Sequence, residues 1–161
     1  MITLRKAGPK DETLYKNLFN LYQNDLSVFY TDGTFSRVDA NGYFDADTVR
    51  EIFPPDASIL PFVIEDDRHI IGLLLITRPP YAEHDYCVEE LYLVRAQRGK
   101  GKAEAAVESF FRTHPGVYTL EVFRENAPAV RFWQKLIAGK GRLLARAPGR
   151  EDMDKLTFKI E

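Results

Sequence analysis

The chain has 161 residues, enough for one compact domain that buries roughly two thirds of its unfolded surface. Its 45% hydrophobic and 29% charged residues suit an ordinary soluble globular fold, and a formal charge of -2 argues against a general binder of nucleic acid or membrane surfaces, which needs a broad positive excess. A lone Cys87 excludes an internal disulfide, three scattered histidines give no metal-ligand spacing, no apolar run reaches the ~18 residues of a membrane span, and Met1 to Arg5 does not begin a signal peptide, so a cytoplasmic protein without a metal is expected.

Residues 2–6 alternate as a short first strand. Pro9 suits the first position of a helix and Asp11 and Glu12 its positive end. Leu14, Leu18, Leu21, Tyr22 and Leu26 then recur at helical spacing, which predicts a helix over about 10–28. From Tyr30 to Tyr43 there is no period, so a long loop is expected before a short helix around 46–53. A calcium loop starting at Asp39 fails, because Phe44 stands where the turn glycine is required and Arg50 where the closing glutamate belongs. Asp25, Tyr30, Asp32, Asp39, Tyr43 and Asp45 leave two readings of this stretch: an acidic, aromatic-walled pocket for a cationic substrate, or a solvated loop.

Pro54-Pro55 ends the short helix. Residues 58–65 and 70–77 read as a hairpin about a polar turn, and the second run is apolar on both faces, as a central strand covered on two sides would be. A third strand runs from about Tyr86 to Val94. Gln97 to Ala103 follows, a turn with Gly99 and Gly101 among Arg98, Lys100 and Lys102, leading into a helix over 103–112 that buries Ala106, Val107, Phe110 and Phe111. Such a turn offers close backbone approach and the open end of a helix to an anion. A strand at 117–122 comes next, then Asn126 as the cap of a helix with Pro128 in its first turn and Val130, Phe132, Trp133, Leu136 and Ile137 on its apolar face. Strands at about 142–147 and 154–160 close the chain around the turn at 148–152. The order predicts one mixed α/β domain over residues 1–161.

Two motifs lie in register. Arg98, Gly101 and Ala103 match the spacing Arg or Gln, two residues, Gly, one residue, Gly or Ala; after an intervening strand, Asn126 is followed by Ala129 and the aromatic pair Phe132 and Trp133. In this the chain resembles the GCN5-related N-acetyltransferases. The resemblance implies a central mixed, mostly antiparallel sheet of about seven strands, flanked by about four helices, with two strands splayed at the cofactor site. It also implies acetyl-CoA as co-substrate. Its diphosphate would lie on the amides of Gly99, Lys100, Gly101, Lys102 and Ala103, with charge from Arg98 and Lys100. The pantetheine arm would run along the strand edge at Leu93 and Val94, an N–H near Leu93 would polarise the thioester, Asn126 would reach the cofactor's amides, and Phe132 and Trp133 would wall the thiol end. Dimerisation is common in the family, and no residue here argues for it specifically.

Acetyl transfer to an amine needs that amine deprotonated. At pH 7 this costs a lysine-like group, of pKa ~10.4, about 4.6 kcal/mol. Glu90 is the first candidate base, with a structural carboxylate as the alternative, and Glu89 faces the other side if the strand is regular. The family's usual proton donor to the leaving thiolate is a tyrosine where this chain has Trp133, whose indole cannot serve as an acid. A thiolate is a tolerable leaving group by itself, and Tyr92 and Tyr118 are the candidates to replace the missing acid, the alternative being that both are ordinary strand aromatics. Cys87 reads as a small core residue rather than a nucleophile. The expected activity is acetyl transfer to a primary amine of a small molecule or protein by direct attack in a ternary complex. A non-catalytic acyl-CoA-binding module and a phosphate-binding protein of another kind are the alternatives.

Overall fold

Seven strands form: β1 (Ile2–Lys6), β2 (Ile59–Asp66), β3 (His69–Thr77), β4 (Tyr86–Leu93), β5 (Gly116–Phe123), β6 (Arg142–Pro148) and β7 (Met153–Ile160), with helices α1 (Glu12–Leu26), α2 (Lys102–Phe111) and α3 (Ala127–Lys140). The computed structural model describes residues 1–80 and 83–161. The strands make one sheet in the order β1-β2-β3-β4-β5-β7-β6, antiparallel throughout except where β4 meets β5. The doubly apolar run of β3 explains the layering. Leu74 and Ile76 enter a core built with Ala106, Phe110, Trp133 and Leu136 from α2 and α3, while Leu73 and Leu75 enter a second core with Tyr15, Leu18 and Phe19 of α1. Among the described residues no helix is long and apolar enough to cross a membrane.

The entry to α1 rests on one ionic cluster. Asp11 is buried, its carboxylate accepts from Arg5 at 3.0 and 3.1 Å and from the Gly8 amide at 3.0 Å, and Arg5 also donates to Glu65 at 2.8 Å. The Arg5 guanidinium holds the Asp11 carboxyl below its ordinary value. Asp11→Ala is expected to cost about 2 kcal/mol, because it strands a partly buried guanidinium. Urea unfolding at pH 7 checks the loss. A depressed carboxyl stabilises above its unfolded value of ~3.9 and ceases to as pH falls through its lower folded value, so variant and wild type converge only in strong acid.

The short helix expected around 46–53 is reduced to a 3-10 turn at Thr48–Glu51, leaving three α-helices among the described residues rather than four. The Asp45 carboxylate accepts from the amides of Asp47 and Thr48, as a cap does, but the bonds that follow span three residues, from the Arg50 amide to the Asp47 carbonyl at 2.9 Å and from the Ile52 amide to the Val49 carbonyl at 3.1 Å, and Pro54 and Pro55 have no amides to extend the turn. The turn's apolar residues still dock, since Val49, Ile52 and Phe53 are buried against α1.

Two irregularities shape the middle of the sheet. Leu75 of β3 sits opposite Glu90 and Ile76 opposite Val88, so Glu89 is the extra residue of a β-bulge. On its other side β4 pairs with β5 only from Tyr86 to Val88, against Tyr118 to Leu120. Beyond that point β5 stays bonded to β7 as far as Phe123 and β4 to β3 as far as Leu93, so the two strands splay apart and leave a gap.

Candidate active site

At the mouth of the gap, Gly99 and Gly101 have φ of 73° and 72°, in the left-handed region that favours glycine, and nothing lies within 4 Å of where a Cβ would stand. Gly101 caps α2, and the first amide of the helix to find a carbonyl is that of Ala105, on Gly101 at 3.0 Å. The amides before it have no helical acceptor and form an anion-binding helix end.

The cations of the turn are engaged elsewhere. Arg98 donates from Nε to the Leu93 carbonyl at 2.8 Å and from Nη2 to Asp25 at 2.5 Å, with its guanidinium 5.4 Å from the Tyr92 ring centre. Lys100 donates to the Ala96 carbonyl, and Lys102 pairs with Asp66 at 2.7 Å. The side chains of Arg98 and Lys100, expected to supply charge to a phosphate, brace the turn, and the amides remain to meet an anion. Asp25, in the last turn of α1, also accepts from Arg95 at 2.7 Å, so one carboxylate ties the helix to the turn. Arg98→Ala and Asp25→Ala are each expected to weaken coenzyme A binding about tenfold, through loss of one charge-assisted bond. The double variant should lose no more than either single one, because both remove the same strut. Calorimetry on the three proteins tests this; multiplying effects would mean that Arg98 meets the phosphate by itself.

One cleft of about 1140 Å³ connects the turn to the gap. Of the residues expected to hold the cofactor, Leu93, Arg98, Gly99, Gly101, Lys102, Ala103, Asn126, Phe132 and Trp133 line it. Val94 and Lys100 do not; the Val94 amide is spent on the Ile71 carbonyl at 2.9 Å. The Asn126 side chain accepts from the Ala129 amide and so caps α3, and Trp133 is buried edge-on to Phe132 at 5.0 Å.

Glu90 and Tyr92 line the cleft, and Tyr118 does not. Its ring is fully buried, stacked on Tyr86 at 4.9 Å and Phe158 at 5.5 Å, and its hydroxyl donates to the His114 carbonyl at 2.6 Å. Its place on β5 explains this: Tyr118 lies where β5 is still paired with β4, opposite Tyr86, whereas Leu120 and Val122 on the same face reach the stretch where the strands part and line the cleft. Burial pushes the Tyr118 phenol above its ordinary range, which further unfits it as an acid. Burial also lifts the Cys87 thiol to about 12, so a thiolate nucleophile is absent near neutrality.

Glu89 and Glu90 both reach the cleft, contrary to the expectation for a regular strand. The bulge is the reason, since it shifts the alternation by one; Glu89 then accepts from Thr77 at 2.6 Å, on the α1 side. Glu90 is half-buried, and desolvation raises its carboxyl to about 7, helped by the charge of Glu89 and opposed by the Tyr22 hydroxyl and Arg150. The loop acids form no pocket. Asp32 and Asp39 are exposed and accept from amides of their own loop, and Asp25 is committed to two arginines. The aromatic walls do exist: Phe29 stacks on Phe123 at 5.6 Å, and Tyr30 meets the same ring edge-on at 4.9 Å. Tyr22, Phe123 and Arg150, which also line the cleft, were missed as site residues, because each arrives from a distant element and carries no motif of its own.

A seven-stranded sheet split between two parallel strands, with a helix end open at the mouth of the split, is the acetyltransferase fold. The chain belongs to the acetyltransferase (GNAT) family, whose model matches residues 15–137. Similar solved structures include an acetyltransferase from Thermus thermophilus, at 18% identity and TM-score 0.68 over 98% of this chain and 96% of that one. The PaiA N-acetyltransferase from Thermoplasma acidophilum, in complex with coenzyme A, is 16% identical with TM-score 0.65 over 100% and 99% of the two chains. NAA60 from Arabidopsis thaliana, in complex with acetyl-CoA, is 14% identical with TM-score 0.61 over 98% and 97%. No curated protein matches the sequence.

Proposed function

We propose that the protein is an acetyl-CoA-dependent N-acetyltransferase acting on a primary amine by direct attack in a ternary complex. The observation that carries this is the gap itself: an amide-lined helix end at its mouth, a free strand edge along it, and a desolvated carboxyl on its wall, all in one cleft. The residues present fit the co-substrate. The amides of Gly99 to Ala103 would hold the diphosphate, in front of the open space left by two glycines, and the unpaired edge of β4 would bond the pantetheine amides as an added strand does. Bound acetyl-CoA supplies an activated acyl thioester.

Glu90 is the general base. At about 7, its carboxyl accepts the ammonium proton more readily than an ordinary glutamate of ~4.3, by roughly 3 to 4 kcal/mol, and it is still substantially ionised at neutral pH. The amine lone pair then forms the bond to carbon as the bond to sulfur breaks. A thiolate of pKa ~8.5 leaves without a strong acid, and Tyr92, which lines the cleft, is the phenol of the two considered that we assign to return a proton. Trp133 favours a second reading, a non-catalytic acyl-CoA-binding module. Calorimetry with acetyl-CoA, followed by thiol release over a panel of amines, separates the two. No binding at tens of micromolar sinks both, and binding without thiol release leaves only the second.

A further inference from the structure

Gln23 interrupts the buried stripe of α1. Tyr15, Leu18 and Phe19 precede it on that face, all apolar in contact, and Gln23 is 4% exposed. An amide so placed costs free energy unless it is hydrogen-bonded. Its side chain bonds to no described residue, yet among the described residues no fully enclosed side-chain polar atom lacks a partner. The amide is therefore open to space that water can enter.

That space is a chamber of about 120 Å³ between α1 and the loop after it, walled by Gln23, Tyr30, Phe35, Thr48 and Glu90. Glu90 borders both the chamber and the large cleft. At ~30 Å³ per water the chamber has room for about four, which would bond to one another and to the Gln23 amide, the Tyr30 and Thr48 hydroxyls and the Glu90 carboxyl, with Phe19, Leu26 and Phe35 as apolar wall. Thr48 donates to Asp45 at 2.5 Å and keeps its lone pairs for the chamber. The charged and titratable groups facing Glu90 are Glu89 on its own strand, Tyr22 from α1, Tyr30 from the segment after α1, and Arg150 from the β6–β7 turn.

We propose that this chamber is the outlet through which the proton taken by Glu90 reaches solvent, with Gln23 as the positioning residue for its water chain. The proposal rests on the N-acetyltransferase reading of the cleft. In the ternary complex the reactants fill the cleft side of Glu90, so a base that gains one proton per turnover must lose it on the other side. The steps balance: the ammonium gives its first N–H proton to a Glu90 oxygen, the nitrogen lone pair forms the N–C bond as the C–S bond breaks, the acylated nitrogen gives up its second N–H proton as the leaving thiolate takes one to become the thiol, and the carboxyl O–H passes the one net proton to chamber water and on to buffer.

Gln23→Leu removes the amide at nearly constant volume. With acetyl-CoA and an amine that the wild-type protein acetylates, kcat is expected to fall about tenfold with the KM for acetyl-CoA unchanged, and millimolar imidazole should restore part of it. The Glu90 carboxyl, followed by carbon-13 NMR, should titrate higher in the variant because it has lost water on one side. An active wild type whose Gln23→Leu variant keeps both kcat and the Glu90 titration overturns the outlet alone. A wild type that releases no thiol with any amine overturns the transferase reading and the outlet with it. Thr48→Val, outside the α1 stripe, takes the place of Gln23→Leu should that variant fail to fold, with the same expected fall and the same overturning result.

Discussion

Glu90→Gln should lower the rate of amine acetylation by ~100- to 10,000-fold, the usual contribution of a general base, with coenzyme A affinity unchanged. The amide keeps the shape of the side chain and cannot accept the proton. In the wild type, kcat/KM should rise with pH and level off above about 7, as Glu90 ionises; in the variant that limb should vanish. The same substitution should stabilise the fold. A carboxyl whose folded pKa is raised is neutral at no cost below its unfolded value of ~4.3. Between there and about 7 the unfolded chain gives up the proton while the folded one keeps it, and this difference lowers stability as pH rises. The variant should therefore exceed the wild type by on the order of 2 to 3 kcal/mol at pH 8 and match it near pH 4, in urea titrations at the two values. Lower activity together with higher stability is the signature of a group held in an unfavourable setting for its chemistry.

Gly101→Val should reduce coenzyme A binding by at least about a hundredfold. Two effects combine. A left-handed φ of 72° costs a residue with a side chain roughly 1 to 2 kcal/mol, and more when it is β-branched, so the turn would shift. Independently, the new side chain would occupy the open space in front of the helix-end amides. Gly101→Asn separates the two, because asparagine tolerates left-handed backbone while still placing atoms there. A large loss in both variants assigns the effect to obstruction, and recovery in the asparagine variant assigns it to strain. Calorimetry with coenzyme A, alongside circular dichroism to confirm that α2 persists, reads the outcome.

Much of this architecture was legible in local chemistry. The two glycines of the turn, Pro9 and Pro128 at helix starts, Asn126 as a cap and the two-sided apolar run of β3 each act within a few residues, so the sequence displays them directly. What was not legible depends on partners far along the chain. The bulge at Glu89 exists only in the register between β3 and β4, and without it Glu89 falls on the wrong face. The cations at 98, 100 and 102 read as phosphate ligands until Asp25, the Ala96 carbonyl and Asp66 are seen to claim them. Tyr118 looked available because hydroxyl chemistry is visible in a sequence and the point at which two strands part is not. The helix expected at 46–53 is a single turn whose bonds span three residues rather than four, a difference that apolar spacing over so short a stretch does not settle.

The splay of β4 from β5 also bears on how this sheet avoids association. Most sheets have two edges at their margins; this one opens two more in its interior, where β4 after Val88 and β5 after Leu120 stop pairing with each other. Unpaired edges of this kind are templates for a strand from another chain and thus a hazard for aggregation. Glu89, Glu90 and Glu121 stand on these two lengths of strand, and charge turned toward an opening deters such an intruder. The carboxylates that line the gap thus also keep it from being filled by a stray strand.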